Sequence, residues 1–233
     1  MEERINPYKE FVNTCQERNL IIGQGNPLSD ILFVGCEPNQ TEEEYENFKK
    51  NIINCLNKEN GMTFNNLWGP IDKKGKKEGW TWNKYQKIID RVYPDRPHKQ
   101  GTLDFEDMAF CTELNNAFGP HSKDVDKSTI PLKRQLLKES DFIQSFHVVI
   151  LACGNYIVNQ GDNREIDDTF NVHYVEQKDP EGKQEFWIHE SNDSNDPKLV
   201  IHTRQLSGAI TNDLLQAIGA QIQNFLTSIG KLK

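Results

Sequence analysis

The sequence predicts an α/β protein: a three-layer α/β/α sandwich built on a central, mostly parallel sheet. Three observations carry that prediction. Short, continuous apolar runs at 31–34 and 148–153 have the length and branching of strands buried on both faces. Segments of helical period separate such runs, as in chains that return to the same sheet edge. The chain has 233 residues, enough for one generous domain, 1–233, rather than two independent cores.

Asp30-Ile-Leu-Phe-Val-Gly-Cys36 reads as a strand ending in a tight loop at Pro38. Thr41 and Glu44 fit a capping box for a helix to about Asn57, with Tyr45, Phe48, Ile52 and Leu56 on one stripe. A second helix is expected from Thr81 through Trp82, Tyr85, Ile88, Ile89 and Val92, stopped by Pro94. Residues 105–114 then read as a strand, and 129–142 as a helix after Gly119-Pro120. The run 147–152 is a third strand, bounded by Gly154. Residues 170–175 and 184–189 suggest a hairpin closed through Asp179-Pro180-Glu181-Gly182. A short strand at 198–202 precedes a terminal helix over 211–229, carrying Leu214, Leu215, Ile218, Ile222, Phe225 and Leu226 and capped by Thr211 or Ser207.

Composition narrows the function classes. No apolar run approaches the ~18–20 residues of a bilayer span, and the opening Met-Glu-Glu-Arg is unlike a secretory leader. No membrane partner is expected. Five scattered cysteines without a Cys-x-x-Cys pair point to reduced thiols in a cytoplasmic protein, with no metal site. The net charge is −8, but it is unevenly placed. Residues 155–197 hold eleven acids and three bases, whereas 67–100 hold nine bases and four acids. A globally acidic chain can therefore present one basic face to a polyanion, because salt screens charges beyond ~8–10 Å. Lys73, Lys74, Lys76 and Lys77 are the candidate phosphate contacts of that face. The acidic stretch is expected to form a hairpin insertion near 155–197, remote from any DNA and available to a protein partner. Gly-x-Ser-x-Gly, Gly-x-Gly-x-x-Gly and Walker-type lysine loops are missing, which disfavours elbow hydrolases, dinucleotide enzymes and nucleoside-triphosphate chemistry. No cofactor is expected.

In an open α/β sheet, ligands bind where loops leave the carboxyl ends of the strands. Two such ends carry chemistry here: Glu37 follows the first buried strand and His202 the last. A carboxylate beside a sugar can orient water and stabilise an oxocarbenium-like centre, while an imidazole can donate to a departing base. The segments that hold them, Gly25-Asn26-Pro27 with Asp30-Ile-Leu-Phe-Val-Gly-Cys-Glu-Pro38, and Leu199-Val-Ile-His202-Thr-Arg-Gln-Leu-Ser207, resemble two motifs of the uracil-DNA glycosylase superfamily. Val148-Val-Ile-Leu-Ala-Cys-Gly154 is similar to that family's buried middle strand.

The resemblance spans about 23–225 and implies a hydrolase that excises a damaged or deaminated base from double- or single-stranded DNA, with Glu37 and His202 catalytic; a monomer is expected. It implies that Phe64, in Gly61-Met62-Thr63-Phe64, stacks on the base, and that Thr112 or Asn115 reads the base edge where the family often uses Asn. Arg204 and Ser207 lie where the family's Pro-Ser and following helix begin; Arg204 is expected at a phosphate or a base edge and Ser207 at a phosphate. Glu37 itself stands where the family carries Asp or Asn. Some relatives hold an iron–sulfur cluster; the dispersed cysteines here predict none. The alternative is a non-catalytic module that binds nucleic acid or a nucleotide on the same sheet.

Overall fold

Seven strands form one sheet in the computed structural model, which describes residues 2–38, 42–56, 81–96, 103–118 and 125–232. In chain order they are β1 (Gln24–Gly25), β2 (Ile31–Gly35), β3 (Phe110–Glu113) and β4 (Val148–Leu151). A small separate ribbon, β5 (Asn159–Gln160) with β6 (Asn163–Arg164), precedes β7 (His173–Lys178), β8 (Phe186–Glu190) and β9 (Leu199–Thr203). The spatial order is β1-β3-β2-β4-β9-β8-β7. The four middle strands are parallel, with antiparallel strands added at both sides. β2, β4 and β9 are buried along their whole length, as continuous apolar runs require when both faces are covered.

Seven helices accompany the sheet among the described residues: α1 (Glu2–Glu17), α2 (Glu42–Leu56), α3 (Thr81–Val92), α4 (Ile130–Glu139), α5 (Asp141–Gln144), α6 (Glu165–Phe170) and α7 (Asn212–Ser228). Alternation along the strands divides the interior into two cores. Leu32, Val34, Val149, Leu151 and Val200 face Tyr8, Phe11, Leu137, Phe142 and Phe170 of α1, α4, α5 and α6. Ile31, Phe33, Ile150 and Ile201 face Ile88, Ile89, Ile218 and Ile222 of α3 and α7. Helices thus cover both faces of a mixed α/β sheet, the layered arrangement expected.

Several boundaries differ from expectation for identifiable reasons. The helix α1 is absent from the sequence reading, although Tyr8, Phe11, Val12 and Cys15 form a buried stripe; Pro7 within it disguises the period. The stretch from Phe105 begins as a 3₁₀ turn, Phe105–Asp107, because Gln86 Oε1 accepts from the Asp104 and Phe105 amides at 2.7 and 2.8 Å and replaces sheet partners. The helix expected over 129–142 breaks at Ser140, whose hydroxyl caps α5 by accepting from Ile143 N. Phe170 closes α6 instead of opening a strand, since Asn171 takes a left-handed φ of 53° and ends the helix. Of the two candidate caps for α7, Thr211 takes the role by accepting from Leu214 N, and Ser207 is exposed.

The acidic segment is no appendage. β8 lies inside the sheet between β9 and β7, with Phe186 and Ile188 fully buried. The expectation of a hairpin insertion rests on the acids that dominate its sequence; they occupy α6 (Glu165, Asp167, Asp168), one position of exposed β7 (Glu176), the end of β8 (Glu190) and the connecting segments, while Phe186 and Ile188 of β8 supply core.

Candidate functional site

Strand order reverses between β2 and β4: the chain leaves β2 toward β3 on one side and leaves β4 toward β9 on the other. Loops therefore part at this point, at the carboxyl ends, where such sheets usually form the crevice that holds a ligand. Glu37 stands on one lip, two residues beyond Gly35. The other lip is a 3₁₀ turn, Gly154–Tyr156, entered through Gly154 at φ 55°, a conformation a side chain would strain.

The two lips are joined. Tyr156 Oη donates to Glu37 Oε1, and Lys127 Nζ sits 5.0 Å from the Tyr156 ring centroid, a cation–π contact at the crevice mouth. His202 lies opposite Leu151 in the β4–β9 register, and its Nε2–H donates to the Gly154 carbonyl at 2.8 Å. The Trp187 ring packs 5.2 Å from the imidazole, centroid to centroid. His202 is 9% exposed. Burial lowers its pKa against the raising effect of the Gly154 carbonyl, and the nearby His189 lowers it further. The Gly154 carbonyl thus places a proton on Nε2, and burial disfavours the charged form of the ring. Glu37 and His202, far apart in sequence, meet the same three-residue turn.

A second carboxyl reaches this end of the sheet. Glu113 closes β3 opposite Gly35, and its side chain lies across the Gly35 backbone. Burial first, and then Glu37, push its pKa well above the ordinary carboxylate range; the buried Lys133 offsets part of this. Cys36 and Cys153 flank the same strand ends, buried and unbridged, with thiol pKa values raised mainly by burial.

The other sequence-predicted residues have defined places. Thr112 Oγ1 donates to Ile22 O at 3.0 Å, tying the segment before β1 to β3. Asn115 is fully buried; its amide donates to Asp126 O at 2.8 Å and its carbonyl accepts from Thr129 Oγ1 at 2.8 Å. Both polar groups shape the loop after β3. Arg204 and Ser207 are exposed just beyond β9, on the crevice side of the sheet. Gly25-Asn26-Pro27 lies at the opposite edge, where Asn26 Oδ1 accepts from Leu28 N and Nδ2 donates to Asp107 O, both at 2.9 Å. Phe64, Lys73, Lys74, Lys76 and Lys77 lie outside the described residues, as does Thr41.

Sequence reasoning missed Glu113, Tyr156 and Trp187. The rule that selected Glu37, a carboxylate at the end of a buried strand, also selects Glu113. No such signal marks Tyr156 or Trp187, whose placement depends on the turn and on the β8–β9 register, in which Trp187 faces His202. Comparison with protein-family models and with curated proteins finds no match for this chain.

Proposed function

We propose that the crevice hydrolyses the N-glycosidic bond of a damaged or deaminated base in DNA. The observation that carries the reading is the joining of Glu37 and His202 through the turn Gly154–Tyr156 at the carboxyl edge of the parallel strands. Glu37 is the group that orients water at the sugar. Tyr156 holds that carboxylate with a hydroxyl donor. His202 brings a neutral N–H donor, which a departing base can take over from the Gly154 carbonyl. The strand-end resemblance to the uracil-DNA glycosylase superfamily supports the same assignment, and exposed Arg204 and Lys127 flank the mouth for phosphate.

The test is a strand-nicking assay, after alkaline treatment, on oligonucleotides bearing uracil, hypoxanthine, xanthine and mismatches. Glu37→Gln and His202→Ala are each expected to lower the single-turnover rate ~10²-fold or more, the range of a positioned acid–base group. Abasic sites formed at wild-type rate by both variants would remove these residues from the chemistry. One observation favours a second reading, a non-catalytic nucleic-acid or nucleotide module: the Thr112 hydroxyl and the Asn115 amide are already engaged within the fold. Tight DNA binding without abasic sites on any substrate is the outcome that selects it.

A further inference from the structure

Glu113 is the described carboxyl most at odds with its surroundings. Its Oε2 is buried and has no hydrogen-bond partner among the described residues, although the residue as a whole keeps partial exposure. Gly35 makes room for it: a Cβ there would fall 2.8 Å from Glu113 Cδ and closer still to Oε2. The carboxyl is therefore laid across the end of β2, at the crevice, by a paired strand position, Gly35 opposite Glu113. Titratable groups within electrostatic reach of it are Glu37 on the β2 loop, Lys133 on α4, Tyr85 on α3, and Cys36, Cys111 and Cys153 at the strand ends.

A buried carboxyl oxygen without a partner is costly as an anion and tolerable as a neutral acid. Burial and the neighbouring Glu37 act in that direction together. Pairs of carboxyls whose environments differ in this way commonly divide the work of acid and base.

We propose that Glu113 is a catalytic acid of the crevice, which donates its proton to a ring nitrogen or carbonyl oxygen of the departing base while Glu37 receives a proton from the attacking water. This rests on the N-glycosidase reading above. The water oxygen bonds to the anomeric carbon, the carbon–nitrogen bond breaks, and its electron pair stays on the base. The proton from Glu113 neutralises the base, and the proton lost by water resides on Glu37. One proton has then moved between the two carboxyls, and exchange with solvent restores the pair. The substrate class that fits is a nucleoside unit whose base has an acceptor near the scissile bond, as purine and pyrimidine lactams do.

Glu113→Gln keeps the shape and a neutral donor but has no proton to give. On any oligonucleotide the wild type cleaves, this variant is expected to lose ~10²-fold in kcat with little change in KM. Gly35→Ala, which displaces the carboxyl without altering it, should reproduce the loss. Wild-type kcat in Glu113→Gln overturns the proposal. Carboxyl ¹³C NMR, with the Glu113 signal assigned by its loss in Glu113→Gln, should show a protonated acid at neutral pH; an ionised Glu113 overturns the proposal whatever the activity. If the wild type cleaves nothing, the glycosidase reading fails separately, and calorimetric titration with free uracil and hypoxanthine judges Glu113. Binding that weakens in the wild type as Glu113 ionises, and persists in Glu113→Gln, supports the donor role; pH-independent binding or none refutes it.

Discussion

Lys133 shows how a single residue ties the site to the core. Its ammonium is fully buried, donates to Ile21 O, and lies 5.2 Å from the Phe11 ring centroid. Burial lowers its pKa, while Cys15 and Glu113 act in the opposite direction. Lys133→Met would leave the Ile21 carbonyl without this donor, and a loss of about 1–3 kcal/mol is expected in urea unfolding. The two histidines on the β8–β9 face make a pH argument. His189 donates from Nδ1 to Asp167 at 2.9 Å, and burial lowers its pKa despite that carboxylate; His202 is lowered likewise. Both folded values lie below the ordinary 6.5, so the unfolded chain binds these protons first as pH falls. Their contribution is complete above pH 6.5 and is lost as pH drops through the folded values. Chemical denaturation at stepped pH should show this decline, and the double variant His189→Gln/His202→Gln should flatten it.

At the scale of elements, a close constraint is the contact of α3 with α7. A Cβ on Gly219 would fall 2.7 Å from Arg91 Cβ and 3.0 Å from the Ile88 carbonyl, so the two helices approach at a position only glycine fits. Gly219→Ala must separate helices that share the core of Ile88, Ile89, Ile218 and Ile222. A cost of about 1–3 kcal/mol is expected, seen as a lowered midpoint of thermal unfolding. The hairpin of β7 and β8 makes a contrasting case. Its acidic sequence suggests a removable insertion, yet β8 pairs with β9 along five positions from Phe186↔Thr203 to Glu190↔Leu199. Excision of the hairpin would remove Phe186 and Ile188 from the core and expose the edge of β9, so a soluble, cooperatively folding deletion is not expected. Alternation in β8 was legible in its residues; membership in the main sheet was not, because that pairing joins segments with no local signal in common.

For the whole molecule, the useful quantity is where the charge lies. Asp167, Asp168, Asp193 and Asp196 line a cleft of about 590 Å³ with Lys138 and Lys198, beside the amino ends of β4 and β9. The crevice opens at the carboxyl ends, with Arg204 and Lys127 exposed near it. On the proposed function, a polyanion is therefore disfavoured at one end of the sheet and meets exposed cations at the other. Arg204→Ala should weaken binding to duplex and single strand alike and reduce the slope of log affinity against log salt by about one, if one phosphate contact is lost. Neutralising Asp193 and Asp196 together should leave that slope unchanged. Fluorescence anisotropy across a salt series measures both.

What the sequence determined by itself is local. The apolar runs of β2, β4 and β9, the helical stripes of α3 and α7, and the carboxylate and imidazole at two strand ends are all set by neighbours a few residues apart, where period and turn chemistry act. Tertiary structure alone decided which ends meet. The register that lays Glu113 on Gly35, the turn that links His202 to Tyr156 and Glu37, and the face that sets Trp187 against the imidazole each join residues from different parts of the chain. Strand pairing and the packing of two cores select those partners, because hydrophobic burial is non-directional and only the closed sheet assigns each side chain its neighbour.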